Sequence, residues 1–211
     1  IVAGAVEGER KQRLLEHIKN PKEMWSAAGV SAVDMSASYY FDDGYWNGNV
    51  WMSHQWFIWK TMLDNGEADF AFDIANLALD MWKDETDFTY NTYECFGIAT
   101  RRGGWFHNFG GLSAPICIWA NAYYKPQTVT TGFDVWTDYQ KTTNTSAEIK
   151  FKYFGNCDKY TMIVTLSDKA DYVALLDGKE IEFNERNKGS LEFTFGNDVK
   201  SGILEIKEKQ E

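Results

Sequence analysis

The feature that most constrains the fold is a change in hydrophobic periodicity near residue 126. Before it, apolar residues recur every three to four positions, as on one face of an α-helix. After it, they alternate with polar residues, as on a β-strand, most clearly in segments 147–153, 191–195 and 203–207. We therefore predict a fold that is mainly α plus β, with a helical domain over residues 1–128 and a small antiparallel β-sandwich over residues 129–211.

The helical domain contains four segments with helical character. An amphipathic helix is predicted over residues 6–19, and further helices over 49–63 and 67–82. Because the connection between the last two is very short, we expect them to be antiparallel neighbours. A fourth helix is predicted to begin near Ser113, with Pro115 in its first turn.

The segment between the third and fourth helices, residues 84–111, has neither a helical nor a strand period. A structureless connection of this length inside a compact domain is usually functional or disordered. It is rich in aromatic residues, which disordered segments lack. We therefore predict that this loop has a function.

The second domain is expected to contain about six short strands. Asp177-Gly178 is a strong hairpin signal between two of them. The predicted strands cover residues 147–153, 160–166, 172–176, 179–183, 191–195 and 203–207. Many short strands joined by turns are typical of an antiparallel sandwich.

Charge and cysteine content exclude several functional classes. The chain carries a formal net charge of −10 and no basic run. This argues against nucleic acid or an anionic membrane as a partner, because both require a Lys/Arg surface. The three cysteines are widely spaced and form no Cys-x-x-Cys pair, so we predict neither a disulfide scaffold nor a metal site. No cofactor is predicted.

The stretch from Tyr45 to Trp119 mixes aromatic rings with hydrogen-bonding side chains. These include Tyr45, His54, Gln55, Tyr93, Glu94, Trp105 and His107. A core that serves packing alone favours aliphatic residues, because polar groups cost free energy to bury without partners. Rings beside donors and acceptors suit a sugar, which has apolar CH faces and a hydroxyl rim. We predict a sugar-binding site here.

Glu94 is the candidate for acid–base chemistry. It is the only Glu between Glu85 and Glu148, and it lies in the aromatic loop. Rings disfavour a charged carboxylate by desolvation, and the nearby Arg101 and Arg102 could offset this effect. The residues alone leave an alternative open, in which Glu94 is a solvated loop carboxylate or the structural partner of an arginine.

Three pieces of this stretch together resemble a known enzyme family. They are segment 45–51 (YWNGNVW), the Tyr93-Glu94 pair, and segment 109–115 (FGGLSAP) followed by Trp119. Their order and spacing resemble the last third of the (α/α)6 toroid of glycoside hydrolase family 63. The mannosylglycerate-hydrolase-like and glucosidase-like members are the most similar, and the resemblance covers about residues 1–136.

The resemblance implies an inverting hydrolase that acts on α-linked glucosides or mannosides. Glu94 corresponds to the general base of that family. Tyr45, Trp46, Trp51 and Gln55 correspond to residues that line its sugar pocket. We add Trp105 and His107 from the same aromatic stretch as candidate substrate contacts.

One departure from the family pattern is important. The family's general acid is an Asp from an earlier hairpin, and the nearest candidates here, Asp34, Asp42 and Asp43, are not in that position. About four helices are visible, whereas such a toroid has twelve. We therefore expect the chain to be the C-terminal part of a longer enzyme and to be inactive alone. Its expected partners are an oligosaccharide or small glycoside, the N-terminal part of the same enzyme, and a second copy through self-association.

Two alternatives of other classes are consistent with the same residues. The chain could be a non-catalytic carbohydrate-binding module, in which Glu94 only accepts hydrogen bonds from sugar. It could also be a structural module whose aromatic face packs on another chain, since large apolar patches usually find a partner.

Overall fold

The computed structural model describes residues 1–209. Contacts divide this part of the chain into two compact units. The first contains Ile1–Trp59 and Phe70–Trp119, and the second contains Lys60–Asp69 and the described chain from Ala120 onward. Each unit is described by itself. No helix of the described residues is both long and apolar enough to span a membrane.

Four helices form the α part of residues 1–209. They are α1 (Gly8–Lys19), α2 (Met52–Asp64), α3 (Ala68–Thr89) and α4 (Gly110–Tyr124). In α3 the buried residues recur at helical spacing, as Ala71, Ile74, Ala78 and Met81 illustrate. Burial of this one face explains why the period of the sequence located the helix correctly.

Two helix ends differ from the sequence-based predictions. Helix α3 continues to Thr89 instead of ending near residue 82. Its last two turns contain a Lys83–Asp87 ion pair and a hydrogen bond from Thr86 to the carbonyl of Trp82. Such polar contacts leave no hydrophobic period in the sequence, so periodicity could not detect these turns. Helix α4 begins at Gly110, so Pro115 lies inside the helix rather than in its first turn.

The segment predicted to be irregular contains a β-hairpin. Strand β1 (Trp25–Ser26) pairs with β2 (Gly29–Val30) earlier in the chain, and β3 (Tyr93–Phe96) pairs with β4 (Gly103–His107). Val50 and Phe96 exchange two backbone hydrogen bonds of 2.8 and 2.9 Å. The β3 strand is therefore anchored to the residues just before α2, and this fixes where Glu94 lies.

Nine strands follow α4 in the described chain, rather than about six. They are β5 (Thr128–Thr130), β6 (Val135–Thr142), β7 (Ser146–Tyr153), β8 (Lys159–Thr165), β9 (Tyr172–Leu176), β10 (Lys179–Ile181), β11 (Asn184–Asn187), β12 (Ser190–Gly196) and β13 (Ser201–Glu208). They form two antiparallel sheets, in the orders β10-β9-β13-β7-β6 and β11-β12-β8-β5. The missed strands β5, β6 and β11 lack alternating burial, so periodicity could not detect them.

Side chains from both sheets belong to one hydrophobic cluster. Ile149 and Phe151 enter it from the five-stranded sheet, and Phe193 and Phe195 from the four-stranded sheet. The rings of Phe151 and Phe195 have centroids 5.5 Å apart. The strictly alternating segments of the sequence supply this core, because one face of each such strand is buried.

Candidate active site

Glu94 lies opposite an irregularity in the β3–β4 hairpin. Tyr93 pairs with His107 and Cys95 pairs with Gly104, so Trp105 and Phe106 both stand opposite Glu94. This two-against-one pairing is a β-bulge, which redirects side chains and is common beside active sites. Trp105 adopts a φ of 64°. Such a conformation costs a residue other than glycine about 1–3 kcal/mol.

The Glu94 carboxylate is buried, with 6% of the residue exposed. Its Oε1 accepts a hydrogen bond from the Tyr45 hydroxyl. Its Oε2 is also buried and has no hydrogen-bond partner among the described residues. An unpaired buried acceptor is costly and is found in native proteins mainly where there is a functional reason. This carboxylate therefore has one oxygen bonded to Tyr45 and one buried oxygen without a partner among the described residues.

The contact with Glu94 also changes the pKa of the Tyr45 hydroxyl. Its hydrogen bond to the Glu94 carboxylate is the main cause that raises the pKa of Tyr45 to about 12. The hydroxyl therefore stays protonated throughout the neutral range and acts as a permanent donor to Oε1. Tyr45 can therefore hold the carboxylate in one orientation throughout the neutral pH range.

Tyr45 is also the centre of a group of rings, which we call the aromatic cluster and which consists of Tyr45, Trp46, Trp51 and Trp105. The Tyr45 ring lies 5.5 Å from Trp46, 4.8 Å from Trp51 and 4.6 Å from Trp105, between centroids. Trp46 stacks on the buried Trp51 at 3.7 Å. Trp46 and Trp105 remain 52% and 58% exposed, so their faces are accessible to a ligand.

A hydrogen bond within segment 45–51 fixes the loop that carries three of the four rings of the aromatic cluster. The Trp51 Nε1 donates a 2.8 Å hydrogen bond to the carbonyl of Tyr45. This bond closes segment 45–51 on itself and orients Tyr45 towards Glu94. Tyr45, Trp46, Trp51, Glu94 and Trp105 are thus brought together, although almost fifty residues separate the two parts in sequence.

Gln55, predicted as a pocket residue, has a different environment. Its amide is buried, its Oε1 accepts from the Val30 backbone N–H at 2.8 Å, and its Nε2 donates to the Val30 carbonyl at 2.7 Å. A Cβ at Gly29 would lie 2.8 Å from Gln55 Oε1, so glycine is required at that position. Gln55 therefore holds strand β2 and does not face the aromatic cluster.

The two histidines of this region are placed differently from each other. His107 is exposed and pairs with Tyr93 at the end of the β3–β4 hairpin. His54 lies with its ring 5.5 Å from Trp46, and burial lowers the pKa of His54. His54 is thus the neutral imidazole beside the cluster, while no ring contact joins His107 to it in the part of the chain that the structure describes.

Arg102 does not offset the charge of Glu94, which corrects one idea from the sequence. Its Nε and Nη2 donate to the two oxygens of Glu85 at 2.6 and 3.1 Å, and the Gly103 N–H donates to Glu85 at 2.8 Å. Arg102 is the main cause that lowers the pKa of Glu85. This ion pair, in which Glu85 is buried and Arg102 is half-exposed, fastens the hairpin to α3, so it supports the site from a distance.

Asn49 was missed as a residue of this region. It is buried, its Nδ2 donates to Cys95 Sγ at 3.2 Å, and its Oδ1 has no partner within the described chain. Cys95 follows Glu94 directly, and burial raises the pKa of its thiol to about 11. The two amides inside the aromatic motif, Asn47 and Asn49, were the available signal, because amides are rarely buried without a purpose.

The three aspartates considered as general acids have other neighbours. Asp34 accepts a 2.7 Å hydrogen bond from the Ser36 N–H and lies 3.5 Å from His17 Nε2. Asp42 lies beside the Tyr40 hydroxyl. The contacts found in residues 1–209 join none of the three to Glu94. No group of His, Cys, Asp and Glu in this range is arranged to hold a metal ion.

Comparison with known proteins identifies the class of the helical part. Residues 1–100 match the family model described as the mannosylglycerate hydrolase MGH1-like glycoside hydrolase domain. Residues 1–100 are therefore similar to a glycoside hydrolase domain, which confirms the resemblance to mannosylglycerate-hydrolase-like enzymes predicted from the sequence. No curated protein matches the chain.

Solved structures from Thermus thermophilus are also similar. One is an uncharacterized conserved protein, with a TM-score of 0.49, 21% identity, and coverage of 56% of this chain and 29% of that chain. Another is a GH63 mannosylglycerate hydrolase in complex with glucose, with a TM-score of 0.48, 21% identity, and coverage of 56% and 28%. The present chain thus spans less than a third of the length of these relatives.

Proposed function

We propose that this chain is part of an inverting α-glycoside hydrolase that acts on glucosides or mannosides, with Glu94 as the general base. The single observation that carries the proposal is the Glu94 carboxylate, which has one oxygen held by Tyr45 and one buried oxygen unpaired. The match of residues 1–100 to a glycoside hydrolase domain supports the reaction class.

The geometry suits the activation of water. In an inverting reaction the base removes a proton from a water molecule as the water oxygen attacks the anomeric carbon. The unpaired Glu94 Oε2 is the atom that would accept this proton. Tyr45 would keep the carboxylate aligned during the transfer, and its raised pKa prevents it from giving up its own proton. Water is turned into a nucleophile, and the proton stays on Glu94 until the product leaves.

The aromatic cluster is proposed to hold the sugar. The CH faces of a pyranose pack on aromatic rings, and Trp46 and Trp105 present such faces to solvent. A sugar on these rings would lie within the same cluster as Tyr45, which is bonded to Glu94. His54 beside Trp46 is a further candidate for a hydroxyl contact.

We further propose that an Asp on a segment outside this chain supplies the general acid. An inverting mechanism needs two carboxyl groups roughly 6.5–9.5 Å apart. Of the aspartates considered from the sequence, Asp34 lies beside Ser36 and His17, and Asp42 lies beside Tyr40. On this proposal helices α1 to α4 form part of an (α/α)6 toroid, and the two β-sheets form an accessory sandwich. The N-terminal part of the enzyme would be a partner of this chain.

The test is Glu94→Gln in the full-length enzyme, assayed on 4-nitrophenyl α-glucoside and α-mannoside. The amide keeps the shape of the side chain but cannot take a proton, so kcat should fall by about 100-fold or more with KM changed little. Glu9→Gln, on an exposed residue of the same unit, is the control and should leave turnover unchanged. Turnover that survives Glu94→Gln would refute the assignment of the base.

A second candidate is a non-catalytic sugar-binding surface, favoured by the exposure of Trp46 and Trp105. In that case Glu94→Gln would weaken the binding of an oligosaccharide and no glycosidic bond would be cleaved by any form of the protein. The same assay, combined with a binding titration, separates the two candidates.

A further inference from the structure

A second surface in the β-sheet unit has properties that the proposed active site does not use. Strand β6 is at the edge of the five-stranded sheet and pairs only with β7. Of its eight residues Val135 alone is buried. The strand is therefore open to solvent, yet it carries two large aromatic residues, which is an unusual use of an exposed edge.

Three exposed rings lie together on this surface, and we call Trp136, Tyr139 and Phe154 the aromatic row. Trp136 and Phe154 are 64% and 63% exposed, and their centroids are 5.3 Å apart in an edge-to-face arrangement. Tyr139 is also exposed. Rings of this size on the surface of a protein commonly mark a place of interaction.

The strand register puts these rings on one face of the sheet. Trp136 stands opposite Lys152 and Tyr139 stands opposite Lys150. Directly paired residues of antiparallel strands point to the same side. Ile149 and Phe151, which alternate with these lysines, are buried in the core. Trp136 and Tyr139 are therefore on the outer face, and the backbone positions opposite them on β7 are about 7 Å apart at 3.4 Å per residue.

The polar groups around the row are mixed in sign. Lys152 Nζ and Asp138 Oδ2 are 2.7 Å apart, and Lys141 stands opposite Glu148. Strands β6 and β7 together hold three lysines, Lys141, Lys150 and Lys152, and two acids, Asp138 and Glu148. This near balance occurs in a chain with a net charge of −10. Donors and acceptors beside flat rings, without a large net charge, fit a neutral polyhydroxylated ligand.

We propose that the aromatic row, with Lys150, Lys152 and Asp138, is a binding site for a neutral oligosaccharide, separate from the site at Glu94. The rings would pack on the CH faces of successive sugars, while the amines and the carboxylate would bond their hydroxyls. The inference rests on the proposed function in so far as it treats the chain as carbohydrate-active. It adds a site at which the polymer is held without being cleaved.

The test is calorimetric titration of the full chain with maltohexaose and with mannohexaose. Trp136→Ala should weaken the binding of at least one of these sugars by tenfold or more, and Tyr139→Ala should weaken it in the same direction. Tyr124→Ala is the matched control, since Tyr124 is an exposed ring of the same unit outside the row. Trp46→Ala, which removes a ring of the aromatic cluster, should leave in place the part of the binding that Trp136→Ala weakens.

Three results would overturn the proposal. The first is no binding of either sugar, and the second is binding that Trp46→Ala abolishes while Trp136→Ala and Tyr139→Ala leave it intact. The third is a dimer of the wild-type chain in sedimentation that Trp136→Ala dissociates, which would make a second copy the occupant. The active-site proposal fails separately: if Glu94→Gln leaves turnover intact while Trp136→Ala weakens binding, this site stands and the base assignment falls.

Discussion

At the scale of single residues, the proposed chemistry depends on a pair that sequence spacing could not reveal. Glu94 and Tyr45 are forty-nine positions apart and meet through one hydrogen bond. The bond leaves the second carboxylate oxygen buried and unpaired. A side chain in this state is destabilising for folding alone, and a role in proton transfer gives a physical reason to retain it.

Tyr45→Phe tests the positioning role of the hydroxyl. The variant leaves both Glu94 oxygens without a donor among the described residues, so the folded protein should be less stable than the wild type. In the full-length enzyme kcat should fall by about tenfold while KM changes little, because the ring that contacts Trp46, Trp51 and Trp105 is retained. Denaturant titration and steady-state kinetics measure the two effects. Tyr39→Phe, on an exposed ring, should change neither.

Asp64 provides a prediction about pH. Burial raises its pKa from 3.8 to about 6, although the N–H groups of Phe133 and Asp134 donate to it. The native state therefore binds more protons than the unfolded state between about pH 4 and pH 6. By linkage, this residue makes stability fall as pH rises through that window, by about 2–3 kcal/mol in total.

The expected result is that Asp64→Asn flattens this pH dependence relative to the wild type. Chemical denaturation at pH 4, 5, 6 and 7 measures the free energy of unfolding of both proteins. The contributions of the other carboxylates are the same in both and cancel in the difference. Asp158→Asn, on an exposed residue of the same unit, is the control and should run parallel to the wild type. A parallel curve for Asp64→Asn would contradict the prediction.

At the scale of elements, the β3–β4 hairpin organises the candidate site. Its strand β3 is tied to Val50, and the loop end of β4 is tied to α3 through Glu85 and Arg102. The bulge opposite Glu94 directs Trp105 towards Tyr45 at the expense of a left-handed backbone. The hairpin is therefore locally less stable because it holds the Trp105 ring in this position. Such local strain is typical of functional sites.

Substitutions at Trp105 separate strain from packing. Trp105→Gly and Trp105→Ala both remove the ring, but only glycine adopts a φ of 64° without steric cost. We expect the glycine variant to be about 1 kcal/mol more stable than the alanine variant by denaturant titration. Both should weaken sugar binding equally. An alanine variant at least as stable as the glycine variant would show that the bulge is unstrained.

At the scale of the whole molecule, the chain is much shorter than its solved relatives. It spans 29% and 28% of the two Thermus thermophilus chains described above. The family match ends at residue 100, before α4 and the β-sheets begin. The proposed base, Glu94, and the aromatic cluster proposed to hold the sugar are both within the described chain. The proposed general acid lies on another segment.

The chain by itself should therefore not hydrolyse 4-nitrophenyl α-glucoside or α-mannoside above the rate in buffer. An inverting reaction without its acid leaves the departing oxygen unprotonated, even where the base is in place. The release of nitrophenol over hours at high protein concentration is the measurement. Turnover by this chain that Glu94→Gln abolishes would place the acid among its own residues and contradict the proposal of a second segment.

Sequence alone determined those elements whose buried faces repeat regularly. The helix predictions over 6–19, 49–63 and 67–82 found α1, α2 and most of α3, and the alternating segments found β7, β12 and β13. It also led to the family resemblance and to the residues of the aromatic cluster. In each case the signal is local, because burial of one face imposes a period of 3.6 or 2 on neighbouring residues.

Tertiary structure decided everything that depends on which distant residues meet. Gln55 forms hydrogen bonds with the backbone of Val30, and Arg102 forms an ion pair with Glu85 and not with Glu94. The orphaned oxygen of Glu94 and the bulge at Trp105 exist only once the hairpin is docked. A hydrogen-bond partner is chosen by three-dimensional proximity and burial, which leave no periodic trace in the order of the amino acids.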